Sequence, residues 1–450
     1  MPLASTSFVR HLTFGLRHLP AVCAFALASI LHADPSFVDL RTVMRLAGAN
    51  NDEIELARLK HAEALVESKQ AWQRFWPTLT VGFGYKGHDG NIQNVEGDII
   101  EARKNQYDIG PGIAIDWSPG DIYFNALASK QRARAAEHLA EKTRRDVIQE
   151  AIERYYDLLA AEADVAVIED DLRVTEDYAG QLEGSVAAGT AFRADLLRVR
   201  TQVSRARLSI RQGQEARDLA AAALAQTLEL PAHTALRPAK SDLVPVRLMS
   251  GKGVASLIAQ AYQNREELHA QSAIITAAEL ERERAHVAPM VPSVRAGYNR
   301  GGLGGGRGGR WGDFDNYQDY YVGLGWKIGP GGLFDKQRKK LAAIRAESTH
   351  VQADEIKAEI GREVVEAAAR SQSARDRITI NDEAVTAAEE MSKLARERQA
   401  SQLGVVLEYV LAREELTSSR QSRVKAVTEF NKAQYALKRA VGDAKPVSGK

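Results

Sequence analysis

Two short strand-like segments share one design and lie about half the chain apart. They are WPTLTVGFGY (76–85) and VPSVRAGYN (291–299), and in each a proline is followed at the same distance by a glycine and an aromatic residue. Downstream, GIAIDWSPG (112–120) aligns with GLGWKIGPG (323–331), with two glycines and the proline in register. Because duplicated sequence folds twice into the same kind of unit, this repeat restricts the possible folds more than any other feature.

The repeat divides the chain into two halves with the same predicted order of elements: helix, strand, strand, long helix, helix. Upstream of the strands, ANNDEI (49–54) resembles QNREEL (263–268). Further along the chain, after the strands, EGSVAAGTAFRADLL (183–197) is a looser match to ERQASQLGVVLEYVL (397–411). The predicted organisation is a signal peptide at 1–33, a first repeat at 34–230, a linker at 231–250, a second repeat at 251–442 and a C-terminal tail at 443–450.

In each repeat, two segments alternate apolar residues with small or polar ones, as strands with two unlike faces do. Each is long enough to cross a bilayer when tilted, and an apolar outer face with a polar inner face is typical of membrane barrels. The predicted strands are at about 77–86, 108–118, 291–299 and 319–329. The residues predicted to face lipid are Leu79, Val81, Phe83, Trp117, Tyr298, Leu324 and Trp326.

A half-buried sheet in a soluble protein would show the same alternation, so periodicity alone leaves both structures open. The membrane is favoured because the rest of the chain is helical and offers no obvious layer to cover such a sheet. Four strands cannot close a barrel, since small barrels need about eight, and lipid does not tolerate open sheet edges. The sequence therefore predicts an obligate oligomer that pools its strands.

Two very long helices are predicted, at about 122–187 and about 336–402, where proline is absent and glycine is rare. At about 1.5 Å per residue, the first would be about 100 Å long. Its apolar residues form two adjacent rows, and abundant alanine permits close approach of neighbours. Such a helix can pack against two partners at once.

The N-terminus has the pattern of a secretory signal. A basic lead precedes an apolar run at 19–31, which is too short to span a bilayer, and cleavage is expected after Ala33. The lone cysteine, Cys23, lies inside this run, and the residues before it match a lipid-attachment motif poorly. We therefore expect an exported mature chain without cysteine.

Composition and motifs argue against several functional classes. Sixty basic and 59 acidic residues nearly cancel, which gives no reason to expect nucleic acid. The glycine-rich segment 301–310 contains a GxGxxG spacing, but no helix pattern follows it, so we expect an external loop and not a nucleotide site. No catalytic grouping, cofactor motif or metal-ligand spacing is present, and we expect neither an enzyme nor a metal or cofactor protein.

At this point the chain, over about 37–442, resembles the outer membrane efflux protein family, the TolC-like channels. The resemblance rests on the duplicated order of elements and on the glycine turn before Asp195. It implies a mainly α-helical protein whose homotrimer forms a twelve-stranded barrel in the outer membrane and an α-helical tunnel across the periplasm. It also implies a periplasmic adaptor and an inner-membrane pump as partners, and passive exit of substrates that are not chemically changed.

The resemblance places a periplasmic gate at two hairpin tips, at about 180–195 and 400–408. The residues carried over to it are Gly189 with Asp195 and Gly404 with Glu408, although the second turn is two residues shorter than the family pattern. A ring of such carboxylates would favour a closed or cation-selective mouth. The alternative is that both acids are helix caps or solvated charges.

A periplasmic coiled-coil adaptor or structural protein is the main alternative of another class. It would also be exported and would also contain a long helical hairpin. However, an adaptor normally shows one hairpin flanked by β-rich soluble domains, not a duplicated helix, strand, strand, helix plan. The leading prediction is a passive outer membrane duct of a tripartite efflux or type I secretion system.

Overall fold

A computed structural model describes residues 36–49, 51–231, 233–240, 242–249, 251, 253–306, 314–401 and 404–443. The predicted signal peptide, Cys23 and all of the tail except Asp443 lie outside the described residues. So does part of the glycine-rich segment at 301–310.

Both halves of the described chain contain two helices, two strands, a very long helix and a last helix, in that order. The first half consists of α1 Leu40–Ala49, α2 Asp52–Gln73, β2 Thr78–Gln93, β3 Ile99–Trp117, α3 Pro119–Ala187 and α4 Arg193–Thr227. The second consists of α5 Val254–Asn264, α6 Glu266–Val287, β5 Ser293–Gly306, β6 Phe314–Gly325, α7 Lys336–Ala400 and α8 Val406–Ala440. The mainly helical, duplicated fold predicted from the sequence is confirmed.

Two short strands connect the halves. β1 (Ser36–Val38) pairs in parallel with β4 (Leu236–Pro238), which lies in the segment between the repeats. In the same segment, the backbone NH of Val246 donates to Oδ1 of Asn431 at 2.7 Å, and Nδ2 of Asn431 donates to the carbonyl of Val244 at 2.9 Å. The buried side-chain amide of Asn431 in α8 therefore bonds to the linker backbone much as a neighbouring β-strand would.

The strands are longer than the sequence indicated. β2 and β3 have 16 and 19 residues, and both run beyond the apolar alternation that ends near 86 and begins near 108. β5 and β6 also extend toward their connecting loop, but β6 ends at Gly325, so Trp326 follows the strand. The extensions consist of polar and glycine residues. Cross-strand backbone pairing maintains them without the apolar pattern on which the prediction relied.

The four long strands form one antiparallel sheet in the order β2, β3, β5, β6. Its register brings Leu79 opposite Ile113, Ile113 opposite Tyr298, and Tyr298 opposite Tyr320. Directly paired residues share a face, so a continuous apolar face crosses the sheet. Among the described strands, β2 and β6 are edges with one neighbour each.

The long helices also form an ordered layer. α3 packs against α4 and α8, and α8 packs against α7, so α4 and α7 are the outer helices of the layer. Four acidic residues of α3 pair with basic residues of α8 along this contact, namely Asp171 with Arg413, Asp170 with Arg420, Asp157 with Lys432, and Asp146 with Arg439. The largest apolar cluster surrounds Leu158 and Leu224.

Candidate functional site

The first hairpin turn joins α3 to α4 through residues 188–192. Gly189 has a φ of +74°, its NH donates to the carbonyl of Val186 at 3.0 Å, and the NH of Thr190 donates to the carbonyl of Ser185 at 2.9 Å. This is the Schellman arrangement, in which a left-handed residue closes a helix and glycine is favoured because it has no Cβ. The glycine therefore ends α3 and turns the chain back on itself.

The second turn, residues 401–405, has the same length but uses its glycine differently. Gly404 does not have the positive φ of a left-handed residue. Its NH donates to the carbonyl of Arg398 at 3.0 Å. A Cβ built on Gly404 would lie 3.1 Å from the Cβ of Arg398 and from the backbone nitrogen of Gln399. The turn is therefore no shorter than the first; its glycine lies two positions later and permits close approach of the backbone.

Asp195 and Glu408 occupy equivalent positions, each the third residue of its helix. The N-cap residues are Phe192 and Val405, which have no capping side-chain hydrogen bond, so neither acid is an N-cap. Negative charge in the first turn of a helix is stabilised by the helix dipole. The duplication thus places one carboxylate at the same point of each tip.

Each of these carboxylates contacts an arginine of the same chain. Oδ1 of Asp195 lies 3.2 Å from Nη1 of Arg198, and Oε1 of Glu408 lies 2.7 Å from Nη1 of Arg398. The acid side chains are 26% and 38% exposed, so both remain accessible to solvent. No pattern in the sequence singled out these two arginines. The spacing of three residues could have indicated Arg198, whereas Arg398 reaches Glu408 across the turn.

Behind the turns, the two hairpins share an aromatic core. The rings of Tyr178 and Tyr409 meet edge to face with their centroids 4.6 Å apart. Burial, with a contribution from Tyr409, raises the pKa of Tyr178 to about 12. The hydroxyl oxygen of Tyr178 is buried and has no hydrogen-bond partner among the described residues. This core joins α3 of the first hairpin to α8 of the second just behind the candidate gate.

A buried ion pair lies one step further from the tips. Nη2 of Arg413 is 2.8 Å from Oδ1 of Asp171, and both side chains are almost fully buried. In the neighbouring pair, burial acts to raise the pKa of Asp170, but hydrogen bonding to Arg173 and the charges of Arg173 and Arg420 lower it overall. The two hairpins are therefore linked by charged contacts in addition to the aromatic core.

Asp164, by contrast, forms no ion pair with any basic residue in the described part of the chain. It lies seven residues from both Asp157 and Asp171, which pair with α8, so helical periodicity directs all three toward the same side of α3. Its Oδ1 atom is buried without a hydrogen-bond partner among the described residues. Burial raises the pKa of Asp164 to about 6.

Six of the seven residues predicted to face lipid lie on one face of the sheet. Leu79, Val81 and Phe83 pair with residues of β3 that share their face, and Trp117, Val294 and Leu324 form one rung across three strands. Leu79 is 68% and Val81 77% exposed, which is unusual for large apolar residues gathered in one patch. The opposite face includes Thr80, Asp116 and Arg295 together with several glycines.

The described residues offer little else that resembles a reactive site. No group of three or more His, Cys, Asp or Glu residues within them could hold a metal ion. None of the helices in this part of the chain contains a segment long and apolar enough to cross a membrane. The candidate site therefore consists of the two tips and the exposed apolar sheet face.

Comparison with known proteins gives a consistent result. Residues 43–228 match a family model described as outer membrane efflux protein. No curated protein matches the sequence.

Several solved structures have the same fold over nearly the whole chain. A membrane protein from Pseudomonas aeruginosa is 20% identical, with a TM-score of 0.75, and the alignment covers 90% of this chain and 93% of that one. The outer membrane channel CmeC from Campylobacter jejuni is 14% identical, with a TM-score of 0.74, and the alignment covers 91% of this chain and 87% of that one. The outer membrane protein VceC from Vibrio cholerae is 17% identical, with a TM-score of 0.72 and coverage of 90% of this chain and 96% of that one. The resemblance inferred from the duplicated sequence is thus confirmed at the level of fold.

Proposed function

From the match of this chain to the outer membrane efflux protein family, we propose that it is the outer membrane exit duct of a tripartite efflux or type I secretion system. In this role it conducts substrates passively from the periplasm or a pump to the cell exterior. The proposal agrees with the solved proteins of the same fold, two of which are described as an outer membrane channel and an outer membrane protein. A channel requires no chemistry, in keeping with a candidate site made of surfaces.

The observation that carries the proposal is that the sheet is incomplete in two ways at once. It exposes an apolar face, and its edge strands β2 and β6 each lack a second neighbour among the described strands. In water the apolar face is unfavourable, and in lipid an unpaired edge costs several kcal/mol for each unsatisfied group. Joining edges with further copies inside a membrane satisfies both requirements.

A homotrimer fits these edges. With four strands from each of three copies, the barrel would have twelve strands and no edge. The helical layer leaves α4 and α7 as its outer helices, so each copy would pack α4 against α7 of the next. Partner proteins would be a periplasmic adaptor and an inner-membrane pump, docked at the helical hairpin tips.

The tips would form the periplasmic gate, with Asp195 and Glu408 contributing one carboxylate each per copy. Six carboxylates around the axis of a trimer would attract cations. Their arginine partners, Arg198 and Arg398, reduce the net charge of this ring. The alternative of a soluble periplasmic adaptor is disfavoured by the four-stranded sheet with its exposed apolar face.

Cysteine cross-linking tests the assembly. Leu197 on α4 and Leu394 on α7 are 52% and 51% exposed, and both lie within seven residues of a tip turn. In a Cys23→Ser background, L197C with L394C should give dimer and trimer bands on oxidation in outer membranes. The matched pair L219C with L394C should not, since Leu219 lies about 33 Å further along α4. Purification as a soluble monomer without detergent, or absence of conductance in planar bilayers, would contradict the proposed function.

A further inference from the structure

The connection from β6 to α7 is a folded element that the first repeat lacks. In the first half, β3 ends at Trp117 and α3 begins at Pro119, with one residue between them. In the second half, β6 ends at Gly325 and α7 begins at Lys336, which leaves residues 326–335. Because the same strand-to-helix passage is made without it in the first repeat, this β6–α7 connector is not required by the fold.

The connector is tightly held by its own hydrogen bonds. The NH of Leu333 donates to the carbonyl of Lys327 at 2.7 Å, and the NH of Gly332 donates to the carbonyl of Gly329 at 3.0 Å. The carboxylate of Asp335 accepts from the NH of Gly331 at 2.7 Å and from the NH of Arg338 at 2.9 Å. The connector is therefore a compact platform with a defined surface.

Three of its four large apolar side chains point outward, whereas Leu333 is half-buried. Trp326 is 56%, Ile328 73% and Phe334 71% exposed. Phe334 has a φ of +69°, an outlier for a bulky residue and one of two positive values among the described non-glycine residues. Glycine would adopt this conformation without strain, and the connector uses glycine at three nearby positions. Strained residues of this kind cluster at functional sites.

Lysines surround these apolar side chains. Lys327, Lys336 and Lys340 are exposed, and no described hydrogen bond or ion pair engages their ammonium groups. Arg338, between them, is instead paired with Asp121 at 3.0 Å. The surface thus combines exposed apolar groups with uncompensated positive charge, as interfacial membrane anchors do.

We propose that the β6–α7 connector, with Lys336 and Lys340, docks on the periplasmic leaflet of the outer membrane and binds the headgroups of anionic phospholipids. This inference rests on the proposed function. Trp326 follows Leu324 with the same alternation, so the connector continues the apolar face where that face leaves the sheet. Trp326 is also fixed in place, because its Nε1 donates to the carbonyl of Met290 at 3.1 Å.

A second copy of the chain is the competing occupant, since β6 is an edge strand. In the proposed trimer the neighbouring edge is β2, which is preceded by KQAWQRFW (69–76). That segment contributes two cations and three aromatic residues but no acid, and its Trp76 is 76% exposed. It cannot neutralise the lysines of the connector and would add to their charge. Anionic lipid supplies the missing counter-charge and suits aromatic residues on both sides.

Lipid selectivity in the assembled channel is the first test. The trimer is reconstituted in phosphatidylcholine, and the association of spin-labelled phosphatidylglycerol is compared with that of spin-labelled phosphatidylcholine. At low salt, each lysine near anionic lipid raises the association constant for that lipid about fivefold. The triple variant K327Q, K336Q and K340Q should therefore lose most of the preference for phosphatidylglycerol over phosphatidylcholine. The matched triple variant K60Q, K393Q and K425Q removes three exposed, unpaired lysines of the helices and should leave it unchanged. Equal selectivity in wild type and the connector variant overturns the proposal.

Depth measurement is the second test and separates lipid from a neighbouring copy. A nitroxide at Phe334→Cys, in the Cys23→Ser background, should collide with oxygen and be protected from a water-soluble nickel chelate. A label at Val95→Cys, in the β2–β3 turn, should show the reverse. Accessibility of position 334 to nickel, or shielding from both reagents, overturns the proposal. F334G should keep trimer yield while lowering the affinity for phosphatidylglycerol.

These outcomes are distinct from failure of the proposed function. If the trimer conducts but shows no lipid selectivity at the connector, the exit duct stands and the lipid site falls. If no trimer or conductance is obtained, the proposed function itself is contradicted.

Discussion

Asn51 and Arg265 make the same contact in the two repeats with different chemistry. Nδ2 of Asn51 donates to the carbonyl of Thr227 at 3.2 Å, and Nη1 of Arg265 donates to the carbonyl of Ala440 at 3.1 Å. Thr227 and Ala440 are the last residues of α4 and α8. In each half, therefore, the residue before a repeated helix satisfies a carbonyl at the end of the last helix, where intrahelical partners are lacking.

The arginine has more partners than the asparagine. Its guanidinium binds Glu267 through two hydrogen bonds of 2.9 and 2.8 Å and Glu363 through one of 2.7 Å, while its side chain is 4% exposed. Removing one member of a buried pair leaves the other charge uncompensated. We expect Arg265→Ala to lower the free energy of unfolding by about 3–5 kcal/mol.

The matched change in the first repeat should cost less. Asn51 accepts from the NH of Glu53 and of Ile54 and thus caps α2, so Asn51→Ala should cost about 1 kcal/mol. Thermal unfolding of the detergent-solubilised protein measures both variants. Equal losses would contradict the assignment of a charged network to the second repeat alone.

Acid should weaken the same network. Burial acts to raise the pKa of Glu267, but the hydrogen bonds and charge of Arg265 outweigh it and lower the pKa from 4.5 to about 2. A lowered folded-state pKa gives stability that is present above about 4.5 and is lost as the pH falls toward 2. Unfolding curves between pH 5 and pH 2 should show this loss in the wild type. In Glu267→Gln the slope over that window should be smaller.

Asp164 should act in the opposite direction. Burial raises its pKa from 3.8 to about 6, so folding favours the protonated form, and this contribution is lost as the pH rises through about 4 to 6. At pH 7.5 the carboxylate is ionised, and its buried Oδ1 has no hydrogen-bond partner among the described residues. Asp164→Asn should therefore stabilise the protein by about 1–2 kcal/mol, allowing for solvent screening.

At pH 4 the same substitution should have little effect, because the carboxyl is already protonated. Melting temperatures at the two pH values provide the test. Destabilisation by Asp164→Asn at pH 7.5 would show that the carboxylate has a partner in solution.

The tip carboxylates should control ion flow through the proposed gate. Replacing both Asp195 and Glu408 with Ala should raise single-channel conductance or reduce cation preference in planar bilayers, because the acidic ring is lost. Arg398→Ala should shift selectivity the other way, since it leaves Glu408 without its 2.7 Å partner. If neither variant changes conductance or selectivity, the two acids are not gate residues.

The apolar sheet face should not tolerate charge. Val81→Lys or Leu324→Arg would place a cation among lipid chains, which costs about 2–4 kcal/mol at the middle of a bilayer. We expect a lower yield of trimer in outer membranes for either variant. Val95→Lys is the matched control, because Val95 is fully exposed in the turn between β2 and β3. Normal yield of the Val81 variant would reverse the assignment of the two faces.

The sequence by itself determined the order of elements and the two faces of the strands. Both are local properties: the repeat is visible as matched segments, and Leu79, Val81 and Phe83 alternate with small residues. The lengths of the strands were underestimated, because the polar parts of β2 and β3 are stabilised by each other and have no apolar period. The sequence also did not show that the two turns use their glycines differently, since Gly189 is left-handed and Gly404 is not.

Tertiary structure alone decided which charges meet. The sequence contains 60 basic and 59 acidic residues, and nothing in their spacing selects Arg398 for Glu408 or Arg413 for Asp171. Those pairs depend on how α3, α7 and α8 lie side by side, a relation between segments distant in the chain. The same holds for the β6–α7 connector. Its Phe334 points outward because the backbone has a positive φ at this residue, which no sequence pattern predicts. Apolar periodicity can be read from neighbouring residues because it reflects which face of one element is buried. Ion pairs between distant segments depend on how the whole chain packs, so they cannot be read in this way.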